Sequence, residues 1–193
     1  MERVEGGGII LEKIVEDKML KRFLILILVV ALFSYASGKK PEDVLIRIYP
    51  GSTVEVKNFT LSPQQVEKIR QLSKIKFDSR LVSLYIVKKD GKILAYGYVD
   101  VHTVRTKPEI VLYTITPDGK LDVVEVLYFG EPLEYLPEEN WFKNFKGKSL
   151  DKDSIKTRSD IPNVSGATLT SKAVTDYARL ALAIWKVLVG DEK

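Results

Sequence analysis

Val164-Ser165-Gly166-Ala167-Thr168-Leu169-Thr170-Ser171 is the stretch of this 193-residue chain whose residue types are best suited to binding chemistry. Its members are small or carry hydroxyls, and they lead directly into a helical pattern. The first backbone N–H groups of a helix have no partner within it, and the helix dipole is positive there, so a phosphate or other anion is favoured. Gly166 and Ala167 would let such a group approach the main chain closely. The same letters also fit a plainer role, in which Thr170 or Ser171 is the helix N-cap and Gly166 is a turn.

Other chemistries find little support. The absence of cysteine removes disulfides, thiolate metal sites, c-type haem attachment and a lipoprotein anchor. With His102 the only histidine, a Ser-His-Asp triad, a His-built zinc site or bis-His haem ligation would each rest on that one residue. No metal site is expected. The 30 Lys and Arg are interleaved with 26 Asp and Glu, a solvated surface of net charge +4 that does not suggest nucleic-acid binding.

The elements that must position the loop follow from periodicity. Lys39 to Glu42 reads as a polar tether, and Val44 to Val56 as extended chain broken at Pro50-Gly51. Ser62 is expected as the N-cap of a helix, with Pro63 at its first position, Gln65 completing a capping box, and Val66, Ile69 and Leu72 on one face. Leu81 to Val87 and Ile93 to Val101 read as a hairpin about Asp90-Gly91, and Glu109 to Thr116 and Leu121 to Phe129 as a second about Asp118-Gly119. A short helix is expected from Glu138 to Phe145 and a polar loop from Lys146 to Asn163. The last helix has Ala173, Tyr177, Leu180, Ala181, Ile184, Trp185 and Leu188 at helical spacing, Lys172, Asp176, Arg179 and Lys186 elsewhere on the wheel, and Gly190 as its stop. The fold class is therefore α+β, a mainly antiparallel sheet of two hairpins packed with helices.

The N-terminus reads as a targeting segment. Lys21-Arg22 precede an apolar run of 11 residues, Phe23 to Phe33, too short to span a bilayer as a helix, and Ser34 and Ala36 flank Tyr35 as a small-residue cleavage site. Residues 1–18 read as a mis-assigned start ahead of Met19, 19–36 as a signal peptide, and 37–80 as a strand and helix segment forming one compact unit with 81–193. Cleavage and retention of the leader as an anchor both remain open.

Residues from about Ile93 to Ala181 resemble the FMN-binding domain of the periplasmic G and C subunits of Rnf and sodium-translocating NADH:quinone oxidoreductase complexes, and of related exported flavoproteins. The resemblance lies in the order of parts: a strand, the Asp118-Gly119 turn, a second strand, Trp141-Phe142-Lys143-Asn144-Phe145-Lys146-Gly147-Lys148, then Ser165-Gly166-Ala167-Thr168-Leu169-Thr170-Ser171. Two positions depart from the family. Pro162 stands where an acidic residue is usual, with Asp160 two residues further away. Phe129-Gly130-Glu131-Pro132-Leu133-Glu134-Tyr135-Leu136-Pro137 stands where Rnf subunits have Glu-Thr-Pro-Gly-Leu-Gly, which is more similar to stand-alone exported FMN-binding proteins.

The resemblance implies an extracytoplasmic electron carrier, rather than a stand-alone enzyme, holding FMN as a phosphoester on Thr168. It also implies a periplasmic flavin transferase for loading and a redox partner protein, membrane-bound or soluble. Ser165, Gly166, Ala167, Thr168, Leu169 and Thr170 are the expected cofactor-binding residues, with Arg105 toward the phosphate or reduced ring and Tyr135 as a flavin wall. Lys107 is a weaker candidate for the same anion. His102 reads as a polar residue at a strand end, with contact to flavin or to an electron donor as the competing role. Trp141 could stack on the ring, whereas Phe142 and Phe145 read as core; Glu131 and Glu134 read as solvated or paired. A binding or structural module of the same fold that has lost the flavin is the alternative function.

Overall fold

The computed structural model describes residues 39–190; the expectations for 1–18 and 19–36 lie outside them. The elements are α1 (Pro41–Ile48), β1 (Thr53–Thr60), α2 (Pro63–Ser73), β2 (Leu81–Lys89), β3 (Lys92–Thr103), β4 (Pro108–Ile115), β5 (Leu121–Phe129), α3 (Glu139–Phe142) and α4 (Thr168–Leu188). Short 3-10 turns lie at Leu133–Tyr135 and Lys143–Phe145. The strands form one antiparallel sheet in the order β1-β2-β3-β4-β5, as the α+β reading requires.

Local chemistry accounts for most boundaries. Ser62 accepts from the Gln65 N–H while the Gln65 side chain accepts from the Ser62 N–H, the expected capping box, and α2 ends at Lys74 in the left-handed region. Asp90 (φ 50) and Gly91 (φ 75) both adopt positive φ, which suits the twist of a two-residue hairpin turn between β2 and β3.

The tether and the extended chain expected up to Pro50-Gly51 are corrected, while 53–56, beyond that turn, are extended within β1. Residues 41–48 are helical, because Pro41 sits at the first position, Glu42 and Asp43 complement the positive end of the dipole, and Arg47 complements the negative end. The four-strand expectation is corrected too. Thr53–Thr60 pairs along β2 from Thr53↔Lys88 to Thr60↔Leu81, and its largely exposed side chains gave it little apolar alternation.

The sheet has helices on both faces. On one side Val44 and Leu45 of α1 pack on Val87, Ala95, Leu112 and Leu127. On the other, Val174, Ala178, Ala181, Leu182 and Trp185 of α4 pack on Tyr96, Val111, Tyr113 and Ile115, and α2 closes that layer with Val66 and Ile69 against Leu180, Ile184 and Leu188. Burying a large apolar side chain contributes about 1.5–3 kcal/mol, against about 0–1 kcal/mol for an exposed ion pair. These layers therefore dominate over surface pairs such as Lys88–Glu55.

Four contacts fix where α4 lies. The Tyr113 hydroxyl donates to the Val174 carbonyl at 3.2 Å. Tyr177 stacks on His102 with ring centroids 4.3 Å apart. Arg179, expected on the outside of the wheel, is instead 6% exposed and donates to the carbonyls of Ser73 and Ile155 and to Asp176. Trp185 covers the Asp118-Gly119 turn so closely that a Cβ on Gly119 would come within 2.5 Å of its ring.

His102 lies near the end of β3, as expected, but it is buried. It is 7% exposed, Nδ1 lying 2.8 Å from Asp100 and Nε2 2.9 Å from Glu109, its register partner on β4. Tyr98 donates to Asp100, and Glu109 Oε1 is buried without a hydrogen-bond partner. Burial opposes the charge on His102, but the bonds to Asp100 and Glu109 outweigh it and raise its pKa to about 9. Burial also raises the pKa of Glu109.

Two outcomes follow. Gly119→Ala adds a Cβ against Trp185 at a residue with φ +82, and should cost about 2–4 kcal/mol in urea unfolding; an unchanged midpoint would refute this packing. For His102 the folded pKa of about 9 lies above the ordinary 6.5, so its contribution is complete below about pH 6.5 and lost as pH rises through about 9. Glu109 acts in the same sense. Unfolding free energy should fall by on the order of 2–3 kcal/mol between about pH 6 and pH 9.5, and His102→Gln should flatten that dependence while lowering stability at the acid end. A wild-type stability that holds or rises across this window would contradict the assignment.

Candidate functional site

Helix α4 begins at Thr168 with Ala167 at its N-cap, and no side chain caps it. The N-cap part of the plainer reading is therefore corrected, while Gly166 does form the turn it expected, closed by Ala167 N–H to the Val164 carbonyl at 3.2 Å. Thr170 is 1% exposed and donates to the Tyr135 carbonyl at 2.6 Å, while Ser171 Oγ bonds back to the Thr168 carbonyl at 3.1 Å. Neither hydroxyl serves the helix start. Gly166 has φ +82, a conformation that strains any side chain, and no atom lies within 4 Å of where its Cβ would be. The main chain is bare on that side.

Thr168 is exposed. Its hydroxyl donates to the Val164 carbonyl at 3.2 Å and accepts from Asn163 at a long 3.5 Å, bonds weak enough to give up. Gly166, Ala167, Thr168, Leu169 and Thr170 share a pocket of about 290 Å³ with Arg105 and Tyr135. Arg105, from the loop between β3 and β4, holds its guanidinium 4.5 Å from the centre of the Tyr135 ring. All the expected site residues except Ser165 thus meet in one place, although Arg105 and Thr168 are 63 positions apart in sequence. Ser165 is exposed outside the lining, and so is Lys107.

The loop ahead of the motif is held by groups whose role was not legible in sequence. Trp141 is 8% exposed, packs edge-on against Phe142 and Phe145, and donates to the Pro162 carbonyl at 2.7 Å, so it is core and a support for the loop rather than a ring-stacking surface. Asp160 accepts from Ser154 Oγ at 2.6 Å and from the N–H groups of Ile155 and Lys156. Burial works against its charge, but these bonds prevail and hold its pKa at about 2. Asp160 is therefore committed to stapling its own loop. A larger cleft of about 670 Å³ runs beside β5 past Leu136, Pro137 and Phe142, but three of its cations are paired, Lys39 and Arg47 with Glu125 and Lys146 with Asp122, and the fourth, Lys143, donates to the Asn140 side chain.

An uncapped helix start, a bare glycine, a guanidinium and an exposed hydroxyl are the donor set that suits a phosphate monoester. The smaller pocket therefore suits a phosphate end such as that of FMN, whereas the larger cleft has no glycine or hydroxyl in its lining and its Arg47 guanidinium is paired with Glu125. Among the described residues no cluster of His, Asp and Glu could hold a metal ion, and no helix is long and apolar enough to cross a membrane.

Known proteins resemble this chain in both sequence and fold. The chain is 25% identical over 179 residues to the G subunit of the Na(+)-translocating ferredoxin:NAD(+) oxidoreductase complex of Acetobacterium woodii, covering 82% of this chain and 84% of that one. Its fold is similar to that of Shewanella oneidensis NqrC, with a TM-score of 0.52 and 16% identity over 79% of this chain and 89% of the other. Residues 106–183 match the FMN-binding domain family, a span that contains both hairpin-derived strands β4 and β5 and the whole Ser165–Thr170 loop. Residues 106–183 of this chain thus match an FMN-binding domain, and FMN is the cofactor that this match and the relative support.

Proposed function

We propose that this protein is an extracytoplasmic electron carrier that holds FMN through its phosphate, bonded to Thr168 Oγ1. The observation that carries this reading is the meeting of an exposed hydroxyl, an uncapped helix start and a guanidinium in one pocket. Arg105 offsets the phosphate charge, the first-turn N–H groups of α4 donate to its oxygens, and Gly166 leaves them room. Tyr135 supplies an aromatic wall, and Leu169, 50% exposed, an apolar surface beside it. Ser165 contributes through the turn rather than the lining. FMN, when bound, supplies the one- and two-electron redox chemistry, for which the protein provides position and electrostatics.

In attachment the Thr168 hydroxyl oxygen bonds to phosphorus and gives up its proton, and the bond from phosphorus to the leaving group of a flavin donor breaks. The donor is presented by a flavin transferase outside the cytoplasm. The Lys21-Arg22 and Phe23 to Phe33 pattern supports export, where a covalent link keeps the carrier loaded away from the cytosolic flavin pool. A membrane-bound redox partner is supported by the Acetobacterium woodii relative, a member of a complex named for translocating sodium.

Co-expressed with a periplasmic flavin transferase, the full chain should be yellow and heavier by one FMN in an intact-mass spectrum. Thr168→Val should abolish the increment and shift stability by less than about 1 kcal/mol, since the residue is exposed. Thr168 is favoured over Thr170 as the attachment point because Thr170 is buried and bonded to the Tyr135 carbonyl. Covalent flavin on Thr168→Val would overturn the assignment. Colourless, unmodified wild-type protein would favour a module that has kept the fold and lost the cofactor.

A further inference from the structure

We infer that Glu131 is a positioning residue of the FMN site: its carboxylate fixes the loop between β3 and β4 so that Arg105 faces the pocket of Thr168. The inference rests on the reading of that pocket as the phosphate site. Strand pairing between β3 and β4 ends at Thr103↔Pro108, leaving 104–107 beyond the ladder. The loop's own cross-bond, from Val104 N–H to the Lys107 carbonyl, is 3.2 Å long. Glu131 supplies much stronger restraint. Its Oε1 accepts from Thr106 N–H at 2.6 Å, from Lys107 N–H at 2.8 Å and from the Thr106 hydroxyl at 3.2 Å, and the residue is only 9% exposed. These donors directly follow Arg105 in the chain.

Gly130 brings the carboxylate within reach. Its N–H donates to the Pro108 carbonyl at 2.9 Å, and a Cβ there would lie 2.9 Å from the same oxygen and 3.0 Å from Lys107 Cβ. Only glycine allows the approach. The backbone N–H of Thr106 is the main reason the Glu131 carboxyl is held below the usual range, so the group is ionised and its bonds are charge-assisted.

The same segment reaches the helix. Tyr135 N–H donates to the Pro132 carbonyl at 2.9 Å, and the Tyr135 carbonyl receives the Thr170 hydroxyl. Residues 130–135 are thus a strap with the Arg105 loop tied to one end and the first turn of α4 to the other. Glu131 itself does not line the pocket, so it acts through Arg105 rather than on the cofactor.

The test is a double-mutant cycle on the full chain. The initial rate of acquiring the FMN mass increment is measured with a flavin transferase, together with thermal unfolding. Arg105→Ala and Glu131→Ala should each slow loading about tenfold or more, and the double variant should load no more slowly than Arg105→Ala alone. Glu131→Gln keeps Oε1 as acceptor but loses the charge assistance and should load at a rate between wild type and Glu131→Ala; Glu131→Asp, one methylene short, should load no faster than Glu131→Gln. If Glu131→Ala fails to fold, the same cycle is run with Glu131→Asp. Wild-type loading by Glu131→Ala and Glu131→Asp, or losses that multiply with that of Arg105→Ala, would overturn the inference while leaving the pocket intact. Unchanged loading by Arg105→Ala would remove the reading of the pocket, and the inference with it.

Discussion

The placement of α4 across the sheet is the constraint on which the rest of the structure depends. A 21-residue helix can slide and rotate on an apolar surface with little penalty if only aliphatic side chains are involved. Here directional contacts at Val174, Tyr177, Arg179 and Trp185 remove both freedoms. Helical rise is about 1.5 Å per residue, so Thr168 lies about 9 Å from Val174 along the axis. Rigidity at the middle of the helix is therefore inherited by its first turn, where the hydroxyl must meet a guanidinium from a separate loop.

The buried Asp100–His102–Glu109 cluster is a product of sheet geometry. Residues two apart on β3 share a face, and antiparallel register sets His102 opposite Glu109. Placing Tyr177 over the imidazole then excludes water from the cluster's outer side. Burial in this low-dielectric layer raises the Glu109 pKa, and one of its oxygens lies buried without a partner. Buried ion pairs are often replaceable by apolar residues without loss of stability. The cluster's distinguishing contribution is directional: it joins β3, β4 and α4 in one arrangement.

Strong local signals made much of the architecture legible in sequence. The Ser62 capping box, the Asp90-Gly91 and Asp118-Gly119 turns and the amphipathic pattern of α4 each identify an element without help from its neighbours. Elements that depend on partners were less visible. β1 is an edge strand whose exposed residues resemble a loop, and α1 is short enough that Val44 and Leu45 could be read as extended. The site shows the same division. The Ser165–Thr170 loop is contiguous and stands out in sequence, while Arg105 and Tyr135 were suggested only as a cation beyond a strand and an aromatic in a Pro-flanked loop. Glu131, Trp141 and Arg179 act through backbone carbonyls and N–H groups, which leave no trace in side-chain pattern.

The segment 146–163 shows why a loop rich in polar residues is nonetheless well held. Ile155 is β-branched and adopts φ 45, a conformation costing on the order of 1–3 kcal/mol. Three features offset it. The Ile155 side chain is fully buried, its N–H donates to Asp160, and its carbonyl receives the Arg179 guanidinium. Arg179 belongs to α4, so the strained residue is tied to the same helix that the loop goes on to start. Trp141 holds the next stretch at the Pro162 carbonyl, six residues before Thr168. From Ile155 to Thr168 the chain is thus restrained at both ends and in the middle. The left-handed turn at Gly166 is then delivered to the helix start as a fixed feature rather than one that must be ordered when a ligand binds.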